Sequence, residues 1–182
     1  TNSGALVITR NATFEAGSGN DITLDHASNN FKRAVLITSG KDVTLVDTNA
    51  IILHTSTVSG TYDVTAGGSI TDYGPVAITG ATTLTAAGNY SILLDQSHTF
   101  SSTVTFAASS GNLKNVTITD TTALDLAALT LAKVAGAGGD LTVTAGGAVT
   151  DSGTLVIPGT TTISASGQAV TLDDSSNDFG TA

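Results

Sequence analysis

Aspartate is the commonest charged residue of the sequence, and Asp25, Asp47, Asp72, Asp95, Asp120, Asp151, Asp173 and Asp174 return at matching places along it. Carboxylates stacked in this way could hold calcium together with backbone oxygens. Asp and Asn at corners also cap turns with their own side chains, and that plainer role is the one expected here, with no cofactor assigned. Glycosidic chemistry needs converging carboxylates in a cleft. Asp173-Asp174 is the only adjacent acidic pair, and neighbours on a strand point to opposite faces. Glu15 is the only glutamate, and Arg10 and Arg33 are the only arginines. A polysaccharide-cleaving enzyme is thus the minor reading, and no catalytic, cofactor-binding or metal-binding residue is assigned. His26, His54 and His98 are too far apart for a metal spacing and read as solvated turn residues. Thr83/Thr85, Thr103/Thr105, Thr142/Thr144 and Thr162/Ser164 would form outward rows, the form of an ice-binding face, but Ala123/Asp125 interrupts them. Threonine is also simply a good exposed strand residue.

The elements that carry these residues are legible from composition. The 182 residues include 20 Gly but no Cys, Met or Trp, and the charged share is 12% against a hydrophobic share of 40%. The residues that usually cover exposed helix faces are nearly absent, so strands are expected. A net charge of −9 with only six scattered basic residues makes nucleic acid and anionic membranes poor partners. No apolar run reaches the roughly 18 residues of a membrane span. Without cysteine, neither disulfides nor thiolate metal sites contribute.

The organising feature is an internal repeat. VTAGGSITDYG, Val64 to Gly74, returns as VTAGGAVTDSG, Val143 to Gly153, and an earlier partial copy opens at Gly4; Gly4 to Gly74 is 70 residues and Gly74 to Gly153 is 79. Imperfect repeats over 1–70, 71–149 and a partial 150–182 read as one β-solenoid segment excerpted from a longer array. Within it, Val64, Leu84, Val104, Leu124, Val143 and Ile163 are spaced by 20, 20, 20, 19 and 20 residues. Each is followed two residues on by a second apolar or small residue, which is strand alternation with one face buried. Gly67, Gly88, Gly111, Gly146 and Gly167 follow as corners where φ could be positive.

This pattern predicts an all-β parallel β-helix with coils of about 20 residues: about nine coils, roughly 43 Å long at about 4.8 Å per coil. Tandem β-sandwich domains matching the 79-residue repeat are the rival architecture. In residues 1–63, internal alignment places Phe14, Val35 and Ile51 in the ladder ahead of Val64, with a trimmed corner around His54 to Tyr62. A second register, Ile22 and Val43 ahead of Val64, is more even, but the alignment is favoured because it also pairs Ile22 with Ile92 and Val170, and Val43 with Val116. ALDLAALTLAKVAGAGG, residues 123–139, fits a helix or a strand by period, and its place in the ladder favours strand. Pro75 and Pro158 belong at strand starts or corners.

VTAGGAVTDSG, TTLTAAG, VTLDDSSNDF and the surrounding Thr-Gly-Ala alternation resemble the repeats of very large secreted bacterial proteins of the filamentous-haemagglutinin type. That resemblance implies right-handed parallel β-helix stalks on exported adhesins, and a right-handed crossover agrees with the general preference of parallel connections. AGSGNDITL, Ala16 to Leu24, is similar to the calcium-binding nonapeptide of toxin-type β-rolls, one position out of register. The expected function is a structural or adhesive segment of a secreted, cell-surface or extracellular-fibre protein. Expected contacts are neighbouring coils, copies of itself end to end, and host or environmental surfaces and glycans. A self-assembling filament subunit is the alternative, because neither terminus looks capped.

Overall fold

Apolar side chains alternating with Thr, Ser and Asp, and broken by Gly every few residues, produce many short strands and, among the described residues, no helix. The computed structural model describes residues 1–180. Two faces run along it. The first is built in order from Ala12–Glu15, Val35–Ser39, Ile51–Leu53, Ile70–Asp72, Ile92–Phe100, Val116–Asp120, Leu141–Ala145 and Thr161–Ser164. The second is built from Ile22–Leu24, Val43–Asp47, Tyr62–Ala66, Thr82–Ala86, Val104–Ala108, Leu124–Leu126, Val149–Asp151 and Val170–Thr171. The chain alternates between them, so each strand pairs in parallel with the one a coil away: a β-solenoid of about 8 turns with strands about 22 residues apart. Parallel pairing of this kind excludes the sandwich alternative.

Between the faces lies one continuous core. Val35, Leu45, Leu53, Ile70, Leu84, Leu94, Val116, Leu126, Val143 and Ile157 are among the residues with essentially no exposed surface. Each such side chain stabilises the stack by about 1.5–3 kcal/mol, so the coils hold one another without disulfides. Residues 123–139 follow suit, giving the strands Leu124–Leu126 and Leu129–Thr130 and a turn at Val134–Ala137 rather than a helix. Pro75 directly precedes the strand Val76–Ile78, and Pro158 directly follows Leu155–Ile157.

A third side completes the cross-section, and it changes place. Val7–Ile8 and Asn30–Phe31 pair where the chain passes from the second face to the first. Ser56–Val58, Val76–Ile78 and the end of Ile92–Phe100 pair where it passes from the first to the second. Leu129–Thr130, Leu155–Ile157 and Asp178–Phe179 then restore the original placement. The repeat explains the shift. Val7 pairs with Asn30, Ala77 with Thr99 and Val156 with Asp178, the same register in all three copies. Ile22 pairs with Val43 on the second face, while the corresponding Ile92 and Val116 pair on the first. From Val7 the chain crosses the first face at four strands (starting at 12, 35, 51 and 70) before Val76; from Val76 it crosses the second at four (82, 104, 124 and 149) before Leu155. Each of the two complete copies is therefore three and a half turns, and successive copies face opposite ways.

This half turn corrects the expected ladder. Val64 stacks on Leu84, but Leu84 stacks on Phe106, and Val104 on Leu126. Val143 and Ile163 lie on the other face, paired with Ile118 and with each other. Apolar residues at both i and i+2 hide a two-residue slip, so a coil of about 22 residues reads as one of 20. In residues 1–63 the more even register is the one leading to Val64, through Ile22–Val43–Tyr62 and Leu24–Leu45–Val64. The strands that carry Phe14, Val35 and Ile51 are neighbours on the first face, but the three residues are out of register: Phe14 pairs with Ile37, Val35 with Leu53 and Ile51 with Ile70, and the supposed trimmed corner holds the third-side strand Ser56–Val58.

The corner glycines divide into two kinds. Gly111 and Gly167 adopt positive φ as expected, whereas Gly67, Gly88 and Gly146 do not. Those three are needed for close approach: a Cβ on Gly67 would strike the carbonyl of Thr48 in the preceding coil, one on Gly88 that of Ser110 in the next, and one on Gly146 that of Thr121.

Candidate functional site

A buried polar contact recurs once per copy. The first residue of each third-side run needs an acceptor for its backbone N–H, and a side chain from one coil further on supplies it. Leu6 N donates to Asn29 Oδ1 at 2.9 Å, Val76 N to His98 Nδ1 at 3.0 Å, and Leu155 N to Asn177 Oδ1 at 2.7 Å. A second side chain holds each acceptor in place. Asn2 Nδ2 donates to Asn29 Oδ1 at 2.7 Å, Asn177 Nδ2 donates to Asp151 Oδ2 at 2.7 Å, and His98 Nε2 lies 2.8 Å from Asp72 Oδ2. Because Nδ1 of His98 accepts from an amide, the ring proton sits on Nε2, the nitrogen beside the carboxylate.

The middle copy thus holds a histidine–aspartate pair with side chains 0% and 1% exposed. The expectation that His98 is a solvated turn residue is wrong, because its coil needed an acceptor facing inward. His26 and His54 do serve turns: their Nδ1 atoms accept from Ser28 N and Thr55 N. For Asp72, burial alone would raise the pKa, but hydrogen bonds from His98 and the amides of Gln96 and Asp95 outweigh it and hold the carboxyl below the ordinary range. Asp151 is lowered for the same reasons, with burial opposed by Asn177 and the amides of Asp173 and Asp174. Both ring nitrogens of His98 are engaged and the ring is sealed from solvent, so this pair fastens coils and has no access to a substrate.

Two further aspartates repeat a second contact. Asp47 Oδ2 accepts Phe31 N at 3.0 Å and its Oδ1 accepts Asn49 N at 2.9 Å; Asp120 Oδ1 accepts Phe100 N at 3.3 Å and Thr122 N at 3.0 Å. The turn-capping role read from sequence is therefore seen, joined to a contact between coils. Desolvation raises the pKa of Asp47 against the two amides that lower it. Among the described residues, no three His, Cys, Asp or Glu side chains gather into a metal-sized group. The threonine rows split between the faces: Thr83 pairs with Thr105 on the second, and Thr142 with Thr162 on the first.

Where the third side changes place it leaves a ledge, and the ledges stand at matching positions of the first two copies. The first ledge is an open groove of about 600 Å³ bordered by Thr9, Arg10, Asn11 and Arg33, continued by a recess of about 290 Å³ in which Asn11 and Arg33 meet Ile52 and Tyr73. The second, of about 500 Å³, is lined by Ser101, Ser102, Thr103, Asp125 and Thr150. By alignment of the copies, Ser102 corresponds to Arg33, Asp125 to Ile52 and Ser152 to Tyr73. Asp125 accepts Thr150 Oγ1 at 3.1 Å and Ser152 Oγ at 2.7 Å.

Neither the contacts between coils nor the ledges were assigned from sequence. The signals were there: Asn29-Asn30-Phe31, His98-Thr99-Phe100 and Asn177-Asp178-Phe179 follow the same Leu-Asp pair, and Asn2, Asp72 and Asp151 each stand two residues before the Gly that opens a copy.

Residues 1–38, 40–107 and 113–182 match a family described as repeats of unknown function (DUF5649). The chain is a β-solenoid repeat protein, and it belongs to that family. Comparison with curated proteins finds no match, and comparison with solved structures finds none.

Proposed function

We propose that this chain is a structural and adhesive segment of a secreted bacterial surface protein or extracellular fibre: a stiff rod that sets distance and presents its flanks. The observation that carries the reading is the unbroken stack of about 8 turns around a single apolar core, covered by Thr, Ser and Asp. Such a stack resists bending because every coil pairs with both neighbours, and its flanks are a repeated polar surface suited to contact with glycans or other surfaces. Nothing in this role requires a cofactor. No helix among the described residues is long and apolar enough to cross a membrane.

Immunogold electron microscopy of the producing cells, with antibody raised against this segment, tests the location. Gold on the outer surface or on external fibres is the expected result; gold confined to the cytoplasm overturns the proposal. Small-angle scattering of the purified chain tests the rod, which should measure about 38 Å along its axis at about 4.8 Å per coil.

A further inference from the structure

The first ledge gathers unusual chemistry for so acidic a chain. Both arginines of a sequence with net charge −9 and only six Lys and Arg residues, Arg10 and Arg33, border this groove. Arg10 and Arg33 stand two residues before Ala12 and Val35, which pair directly, so the arginines occupy the same corner of successive coils, about 4.8 Å apart along the axis. Among the described residues neither joins a carboxylate, while Lys41 pairs with Asp42 at 2.9 Å and lies 4.0 Å from Asp21. Two coils further along the groove stands Tyr73, 73% exposed. Its ring is backed by His54 with centroids 5.3 Å apart, and its amide is tied to Leu53 O at 2.7 Å. A large aromatic held open to solvent by a second ring and a fixed backbone is a platform rather than a loose surface side chain. The groove thus runs along the axis over four coils, with two guanidinium forks and the Asn11 amide at one end and a flat ring at the other.

We infer that this ledge binds a carboxylate-bearing saccharide, non-covalently and without catalysis. Guanidinium forks match carboxylates in a bidentate geometry that lysine cannot reproduce. The Asn11 amide can both donate to and accept from sugar hydroxyls. The Tyr73 face suits the apolar side of a pyranose ring. A spacing of one coil between the arginines lets them engage neighbouring acidic groups of one oligomer. A second copy of this chain fits less well. Its matching ledge, bearing Asp125, is also concave, and two hollows do not dock. This inference goes beyond the location and rod-like role proposed above and is tested separately from them.

The test is titration of the purified chain with trigalacturonate, followed by calorimetry or by NMR shifts, alongside maltotriose and sodium acetate as probes. The expected result is saturable binding of trigalacturonate alone, weakened at least about tenfold in R33Q. Arg33→Lys should recover only part of the loss, and Y73A should weaken binding several-fold. Both side chains are exposed, and an unchanged circular dichroism spectrum confirms that each variant folds. Equal response to acetate would mean a bare anion patch and overturn the proposal. Equal response to maltotriose, binding untouched by R33Q and Y73A, or no binding at millimolar trigalacturonate would overturn it as well.

Discussion

The first and second copies of the repeat fold onto the same registers, yet they have diverged differently at their two notable places. At the contact between coils, Asn2–Asn29 becomes Asp72–His98, and the exchange preserves one function: an acceptor delivered to the N–H of Leu6 or Val76. At the ledge, Arg33, Ile52 and Tyr73 become Ser102, Asp125 and Ser152, and nothing is preserved but the hollow. The difference follows from what the backbone demands. A buried amide must be satisfied, so any side chain may stand there that offers an acceptor at the right place. No backbone group depends on the ledge, which is free to specialise.

The comparison breaks most visibly if the acceptor is removed. His98→Ala leaves the Val76 amide without its acceptor and the Asp72 carboxylate with only the amides of Asp95 and Gln96, and should cost about 3–5 kcal/mol in urea unfolding. Hydrogen exchange should show the loss concentrated at Val76 and its neighbours, whereas Asn29→Ala, which uncovers no charge, should cost less.

Acid separates the two copies next. Asp72 has a folded pKa below its unfolded value, so its contribution is present above about pH 4 and is lost as pH falls through the folded value. Asp72→Asn should flatten that part of the stability profile. Asp47 has the opposite sign: burial raises its folded pKa, so its contribution is present at acid pH and is lost as pH rises through the folded value. Asp47→Asn should remove a smaller slope of opposite direction. Melting curves from pH 2 to 7 check both.

A conservative exchange sharpens the comparison. His98→Asn recreates the pairing seen between Asp151 and Asn177, and should cost about 1 kcal/mol, chiefly for the smaller side chain. A loss as large as that of the alanine variant would mean that the ring's packing on Phe100, at 5.6 Å, outweighs its hydrogen bonds. The smallest effect is expected at the second ledge. Asp125→Ala removes bonds from the hydroxyls of Thr150, Ser152 and, at 3.5 Å, Thr103, and should change stability by no more than about 0.5 kcal/mol in the same urea assay.

Fold class was legible because alternation and Gly corners leave few alternatives. The number of residues per coil was not: Val104 and Phe106 are both inward-facing, and either can be placed above Leu84 on sequence alone. The half turn was hidden by the repeat itself. Identical strings such as VTAGG at Val64 and Val143 invite the inference of identical placement, yet a strand that buries every second residue serves either face equally well. Asp72 was visible as a recurring carboxylate, but its partner was obscured because the other copies carry Asn where this one carries His98.

Three and a half turns per copy has a consequence for an array of such repeats. A flat partner lying along one side of the rod meets every second copy, at intervals of seven coils, or about 34 Å at about 4.8 Å per coil. The copies between are turned toward whatever lies on the opposite side. An array of these repeats would thus be two-sided by construction, with equivalent positions of the repeat turned alternately to opposite sides at a fixed spacing.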